Sequence, residues 1–207
     1  MPNQNSPHGF AILAQEQSNA FNAQCHMYAI SSADNSNTYS IGDVVASAAA
    51  GADASNPWGT FGISFVTKPT GAPNVAAIPR GVIVSVFRNP FNLDTVYVPQ
   101  VKAANYYVLV CDDPYVVMEA IPDGTNAYDA RYVNSNTGFN QSAVNAATLS
   151  NSTVASIAGG SLPQTTSTLP LKILGVAQRP NVSTGLYVPL VVMFNTHELK
   201  SVGTAGV

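Results

Sequence analysis

The strongest constraint in this sequence is the length of its apolar runs. "GVIVSVF" (residues 81–87) opens just behind Pro79 and stops before Asn89-Pro90. "YYVLVC" (106–111) stops at Asp112-Asp113-Pro114, and "VVMEAI" (116–121) stops at Pro122-Asp123-Gly124. "FGISFVT", "LPLKILGVAQRP" and "LYVPLVVMFN" follow the same rule, and "DTVYVPQV" contains Pro99, which suits an edge strand. Each run has strand length, is rich in Val, Ile, Tyr and Phe, and is bounded by turn-forming residues. Extended stretches with an apolar residue every third or fourth position are missing. Strands at this spacing without helices between them predict an all-β fold, a β-sandwich or barrel. The pattern does not order the strands.

The β signals start at residue 41 with "IGDVVAS", a Gly-Asp turn followed by β-branched residues. Residues 1–40 are rich in Asn, Gln and Ser. They read as an extended N-terminal arm, with one or two helical turns in "FAILAQEQSNAF". The expected organisation is therefore an arm over 1–40 and one β domain over 41–207. Residues 139–168, small and polar, read as a long decorated loop carrying a short helix near Ala143–Leu149.

Charge narrows the partners. Of 207 residues 46% are hydrophobic and only 9% charged, against about a quarter in ordinary soluble domains. A surface of Asn, Ser and Thr repels its neighbours weakly and tolerates close packing against copies or partners. The net charge is −3, and no two of the eight basic residues are adjacent. A clustered basic patch, which backbone-tracking nucleic-acid binding requires, is not written in the sequence. Nucleic acid is not an expected partner. Neither is a membrane, because no apolar run approaches the ~18 residues of a membrane helix. "MPNQNSPHGF" lacks the basic and apolar regions of a signal peptide, so synthesis and use in a reducing, soluble compartment are expected. Cys111 lies inside an apolar run and reads as a buried small hydrophobe. A Cys25–Cys111 disulfide is possible, but nothing in the sequence supports it.

The candidate chemistry is sparse. Adjacent side chains of an extended chain point to opposite faces, so Asp112 and Asp113 are not expected to converge on one substrate. Pro114 keeps Asp113 out of the helical region, and Asp favours such corners by bonding nearby backbone N–H groups. The pair therefore reads as a corner, with Glu119 a distant candidate partner for glycosidase chemistry. Pro122–Thr125 reads as a hairpin turn with Gly124 at positive φ. "HEL" at His197 fails the zinc-protease spacing, because position 201 is Ser. His8 and His26 lie far off in the arm. Cys25-His26 are neighbours in sequence, whereas a thiolate–imidazole pair normally comes from different segments. No phosphate loop, dinucleotide fingerprint or nucleophile elbow is present. No enzyme activity, catalytic residue, metal ligand or cofactor is expected.

The second half, "YYVLVCDDPYVVMEAIPDGT" followed by "TSTLPLKILGVAQRPNVSTGLYVPLVVMFNTHEL", resembles tailed-bacteriophage capsid decoration (head cement) proteins. The shared pattern is a strand ending in Asp-Asp-Pro, a strand carrying Glu, and a polar Gly/Ser/Thr segment. A Leu-Lys-Ile-Leu strand then precedes Arg-Pro-Asn, and a last strand ends in Asn-x-His. "IGDVV" and "PRGVIVSVF" extend the likeness over about residues 41 to 199. The sequence departs at Arg179-Pro180-Asn181, where Val182 stands in place of a common acidic residue. The resemblance implies a jelly-roll-like sandwich or barrel without catalysis, bound to the major capsid protein on the outer surface of the virion. A homo-oligomer, dimer or trimer, is expected. Phe10, Phe21, Tyr28, Trp58 and Phe61 are the expected interface residues. The alternative is a virion tail or fibre module that binds host glycans.

Overall fold

The structure, a computed structural model, describes residues 8–16, 24–55, 62–69, 77–87, 97–124, 127–128, 130–141, 153–155, 164–180 and 182–200. It is all-β. In chain order the strands are β1 (Ala11–Gln15), β2 (His26–Ile30), β3 (Tyr39–Ser40), β4 (Val44–Asp53), β5 (Ile63–Thr67), β6 (Gly81–Phe87) and β7 (Tyr97–Val98). They continue with β8 (Tyr106–Cys111), β9 (Val116–Ala120), β10 (Asn136–Asn140), β11 (Thr153–Ala155), β12 (Leu171–Val176) and β13 (Leu190–Phe194). The described helical structure is a single 3₁₀ turn at Ala130–Tyr132.

Two bodies of sheet form. Strands β2-β5-β4-β6-β8 close into a barrel, and β1-β9-β13-β12-β10-β11 form a six-stranded sheet, with β3 and β7 paired apart. All pairings are antiparallel except β2 with β5, where Ala29 meets Phe65. A jelly roll places eight strands in two sheets. The finer jelly-roll expectation is not supported by the order observed here.

The apolar runs are continuous because three barrel strands bury both faces. Val45 of β4, Ile83 and Val86 of β6, and Val108 and Val110 of β8 fill the barrel with Tyr28, Ile30, Tyr39, Val66 and Val98. Their neighbours Val44, Val82 and Cys111 point the other way. They pack against Val116, Met118, Phe139, Leu171, Ile173, Leu190, Val192 and Phe194 of the six-stranded sheet. Bulges at Ile83/Ser85 in β6 and at Ser47/Ala52 in β4 break the ladder where the wall curves.

The N-terminal expectation is corrected. Ala11–Gln15 is not helical; it pairs with β9 from Ala11↔Glu119 to Gln15↔Val116. His26–Ile30 is a full barrel strand against β8. An amphipathic five-residue stretch finds a ready sheet edge, which outweighs a weak local helix preference. The described part of 1–40 is thus integral to both bodies of sheet. The helix expected near Ala143–Leu149 lies outside the described residues, while β10 runs into the start of the expected loop and β11 forms a strand in its middle.

Gly42 does take positive φ (+91°), in the turn closed by Asp43 N–H to the Ser40 carbonyl at 3.1 Å. Gly124 also has positive φ, but the flanking strands β9 and β10 are not sheet neighbours and so form no hairpin; Thr125, the last residue of the expected turn, lies outside the described residues. Gly81 serves close approach instead. A Cβ there would lie 2.2 Å from the Cys111 carbonyl oxygen and 2.7 Å from Val110 Cγ1. Gly81→Ala is expected to destabilise the fold by about 2–4 kcal/mol in urea titrations, because backbone must move. Gly175→Ala, with open space at its Cβ position, should change stability by less than about 0.5 kcal/mol.

Candidate functional site

The corner Asp112-Asp113-Pro114 is where the chain leaves the barrel (β8) and enters the six-stranded sheet (β9). The two carboxylates bond to different partners. Asp113 accepts the Tyr115 backbone N–H at 2.8 Å, closing an Asx turn, and the Gln15 side-chain amide of β1. Asp112 turns toward the barrel end. Its Oδ1 lies 2.7 Å from His26 Nδ1, and its Oδ2 accepts the Tyr28 hydroxyl at 2.7 Å and Arg80 Nη2 at 3.3 Å.

These contacts extend into a network. Arg80 Nε donates to the Tyr28 oxygen at 2.8 Å, and its guanidinium carbon lies 5.4 Å from the centroid of that ring. Arg80 Nη1 also pairs with Glu198 at 3.6 Å. Glu198 in turn accepts the Ser47 backbone N–H at 2.7 Å and the Ser47 hydroxyl at 2.5 Å. One carboxylate, just after β8, therefore ties β2 to the residue that precedes β6, and Arg80 carries the tie onward to the segment after β13 and to β4. Burial pushes the Asp112 carboxyl up. The bonds from Tyr28 and His26 and the charges of His26 and Arg80 outweigh it and hold the carboxyl below its usual range. Burial, then the bond to Asp112, pushes Tyr28 up to about 12.

A cleft of about 670 Å³ opens here, lined by His26, Met27, Tyr28, Ile63, Arg80 and Asp112 among others. His26 is the accessible polar group, its side chain 72% exposed beside a nearly buried Asp112. Cys25 does not share this site, because it packs on the apolar layer between barrel and sheet. The sequence neighbours Cys25-His26 thus serve opposite faces, as the pleat requires.

The remaining carboxylates hold other posts. Glu119 of β9 is buried, bound by Arg179 Nη2 at 2.5 Å and approached by His8 Nε2 at 3.6 Å. Asp43 and Lys68 form a buried pair at 2.7 Å. Asp53 is buried where β4 ends and accepts the Tyr107 hydroxyl and the Asn105 amide. His197 is buried against the Phe194 ring, and its Nδ1 accepts the Leu199 N–H at 3.0 Å. Among the described residues no group of three or more His, Cys, Asp and Glu is arranged to hold a metal.

Of the expected interface residues, Phe10 is 2% exposed and Tyr28 5%. Both are corrected to core positions: Phe10 packs edge-on to Phe139 at 6.0 Å, and Tyr28 fills the barrel. Their flanking polar sequence suggested a free arm, and strand pairing internalised them. Phe21, Trp58 and Phe61 lie outside the described residues. Sequence reasoning missed Arg80 and Glu198, whose link to Asp112 has no local signature. No protein-family model, curated protein or solved structure matches this chain.

Asp112→Ala should cost about 2–4 kcal/mol in chemical unfolding, because Tyr28, His26 and Arg80 lose a shared acceptor. Asp113→Ala should cost only about 1 kcal/mol. Acid sensitivity has its own signature. Burial lowers His197 from its ordinary 6.5 to about 4, opposed by the Arg80 backbone and Glu198 and assisted by the Lys200 and Arg80 charges. The unfolded chain then takes up a proton that the folded chain refuses. Stability is complete above pH 6.5 and falls by on the order of 3 kcal/mol toward pH 4. Below about pH 3.8 protonation of Asp112 removes its depressed-carboxyl contribution as well. Urea midpoints from pH 7 to pH 4 should fall for the wild type and flatten for His197→Leu.

Proposed function

We propose that this chain is a non-enzymatic virion structural protein that decorates and cements a tailed-bacteriophage head, bound to the major capsid protein on the outer surface. The observation that carries the reading is the low charge of the chain together with a small apolar cluster of the barrel, in which the partly accessible Met27, Ile63, Phe65 and Leu109 pack against buried Ala29, Phe87 and Tyr107. Partly accessible apolar side chains that group together offer an association surface. The low charge of the chain lets such a surface approach a shell or another copy with little repulsion. Binding of this kind acts through area, on the order of 1,000 Å² or more per contact, and repetition over a symmetric shell multiplies modest affinities. The acidic residues fit the same picture, since each described carboxylate of the corner is engaged in holding strands together.

A second reading, a glycan-binding tail or fibre module, draws on a different cleft of about 640 Å³ lined by Tyr115, Glu16, Asn134 and Asn195. An aromatic ring beside acidic and amide groups suits a sugar. Here, however, Lys200 Nζ stands 4.7 Å from the Tyr115 ring centroid, so a cation occupies the face a sugar would stack on. Cementing is therefore the preferred reading.

The purified protein should co-sediment with intact heads at a fixed copy ratio, and heads lacking it should lose DNA at lower temperature. Ile63→Asp should weaken co-sedimentation at least about tenfold while leaving the folded protein intact by circular dichroism. Unchanged binding, unchanged heat survival, or a specific glycan-array signal abolished by Tyr115→Ala would overturn the cement reading.

A further inference from the structure

The two cysteines, roughly 85 residues apart in the chain, meet across one strand pair. β2 runs against β8 in the register His26↔Val110, Met27↔Leu109 and onward to Ile30↔Tyr106. Extended by one residue, this register sets Cys25 opposite Cys111. Directly opposed residues of an antiparallel pair have Cα atoms about 4.5–5.5 Å apart, inside the ~4.4–6.8 Å span that a disulfide accepts. Both are free thiols, and a side-chain hydrogen bond links them. Both pack on the apolar layer between barrel and sheet, with Cys111 fully buried and Cys25 partly exposed.

Their position gives the pair a use. The segment before β2 arrives from β1 of the six-stranded sheet, and the segment after β8 departs for β9 of the same sheet. The described ends of these two crossings are joined by the Gln15–Asp113 and His26–Asp112 bonds. We propose that Cys25 and Cys111 are a latent cross-strand disulfide, a redox latch that covalently fastens this seam when the protein meets an oxidising disulfide. The proposal stands independently of the cement reading.

The chemistry balances with a small-molecule disulfide, RSSR, as oxidant. Cys25, the accessible thiol, gives its proton to solvent, and its sulfur attacks one sulfur of RSSR. The RS–SR bond breaks, and RS⁻ leaves and is protonated. Cys111 then loses its proton and attacks the Cys25 sulfur of the mixed disulfide, displacing the second RS⁻. Two protein thiols are oxidised and one RSSR is reduced to two RSH. Closure is slow at neutral pH. Burial raises both thiols, Cys111 to about 12, and the carboxylates of Asp112 beside both and Asp113 beside Cys111 add to this. His26 faces Asp112 on the other side of the strand and supplies no base. A chain made under reducing conditions would fold with the latch open and close it afterwards.

The test uses the full chain at pH 8.5 with oxidised glutathione as the probe, read by intact mass, thiol count, non-reducing electrophoresis and Tm. Expected is a monomer lighter by about 2 Da that has lost both thiols. Its Tm should rise by roughly 10 °C, since the bridge closes a long loop of the unfolded chain, and dithiothreitol should reverse the rise. Cys111→Ser puts a hydroxyl into the core, so Cys25→Ser carries the control: same reduced-state Tm within a few degrees, no closure and no rise. A persistent mixed disulfide at Cys25, disulfide-linked dimers, or a closed monomer whose Tm does not increase would each overturn the latch.

Discussion

The architecture depends on barrel strands that bury both of their faces. Val44 and Val45, Val82 and Ile83, and Val110 and Cys111 are successive residues that serve two different cores. A pleated strand sends neighbours to opposite sides, so one wall of the barrel is also the floor of the layer beneath the six-stranded sheet. Neither body can lose that wall without exposing the other. The lack of a side chain at Gly81 belongs to the same constraint, because β6 approaches the Cys111 carbonyl too closely for a Cβ.

Two bodies joined by a shared wall need the chain to cross between them, and polar groups concentrate at the crossings. Asp112 is engaged by Tyr28, His26 and Arg80, and Arg80 extends the tie to Glu198. Removing a partner from such a network strands buried polar atoms, which costs more than any one bond contributes. The acidic corner thus has a mechanical role, and the adjacent Asp113 closes the turn that redirects the chain. The cysteine pair lies at the same seam and would convert a hydrogen-bonded joint into a covalent one.

A protein proposed to resist force spread over a shell gains from this arrangement. Under that proposal, load taken up at Met27 on β2 and at Ile63 and Phe65 on β5 would enter the barrel, whose wall is shared with the layer beneath the second sheet. The low charge of the chain serves the same end, since dense packing of copies meets little electrostatic opposition.

Strand-length runs and their Gly, Pro, Asn and Asp boundaries determined by themselves that the chain is all-β, that "GVIVSVF" and "YYVLVC" are strands, and that Asp112-Asp113-Pro114 is a corner. Those are local properties: period, propensity and turn chemistry act over a few residues. The sequence did not reveal that residues 11–15 and 26–30 are strands, because a short amphipathic segment takes its conformation from the edge it meets. It also held no sign that Cys25 would face Cys111, or that Arg80 and Glu198 would gather round Asp112. Those juxtapositions come from strand order and register, which are set by how distant faces pack together, and only the tertiary structure decided them.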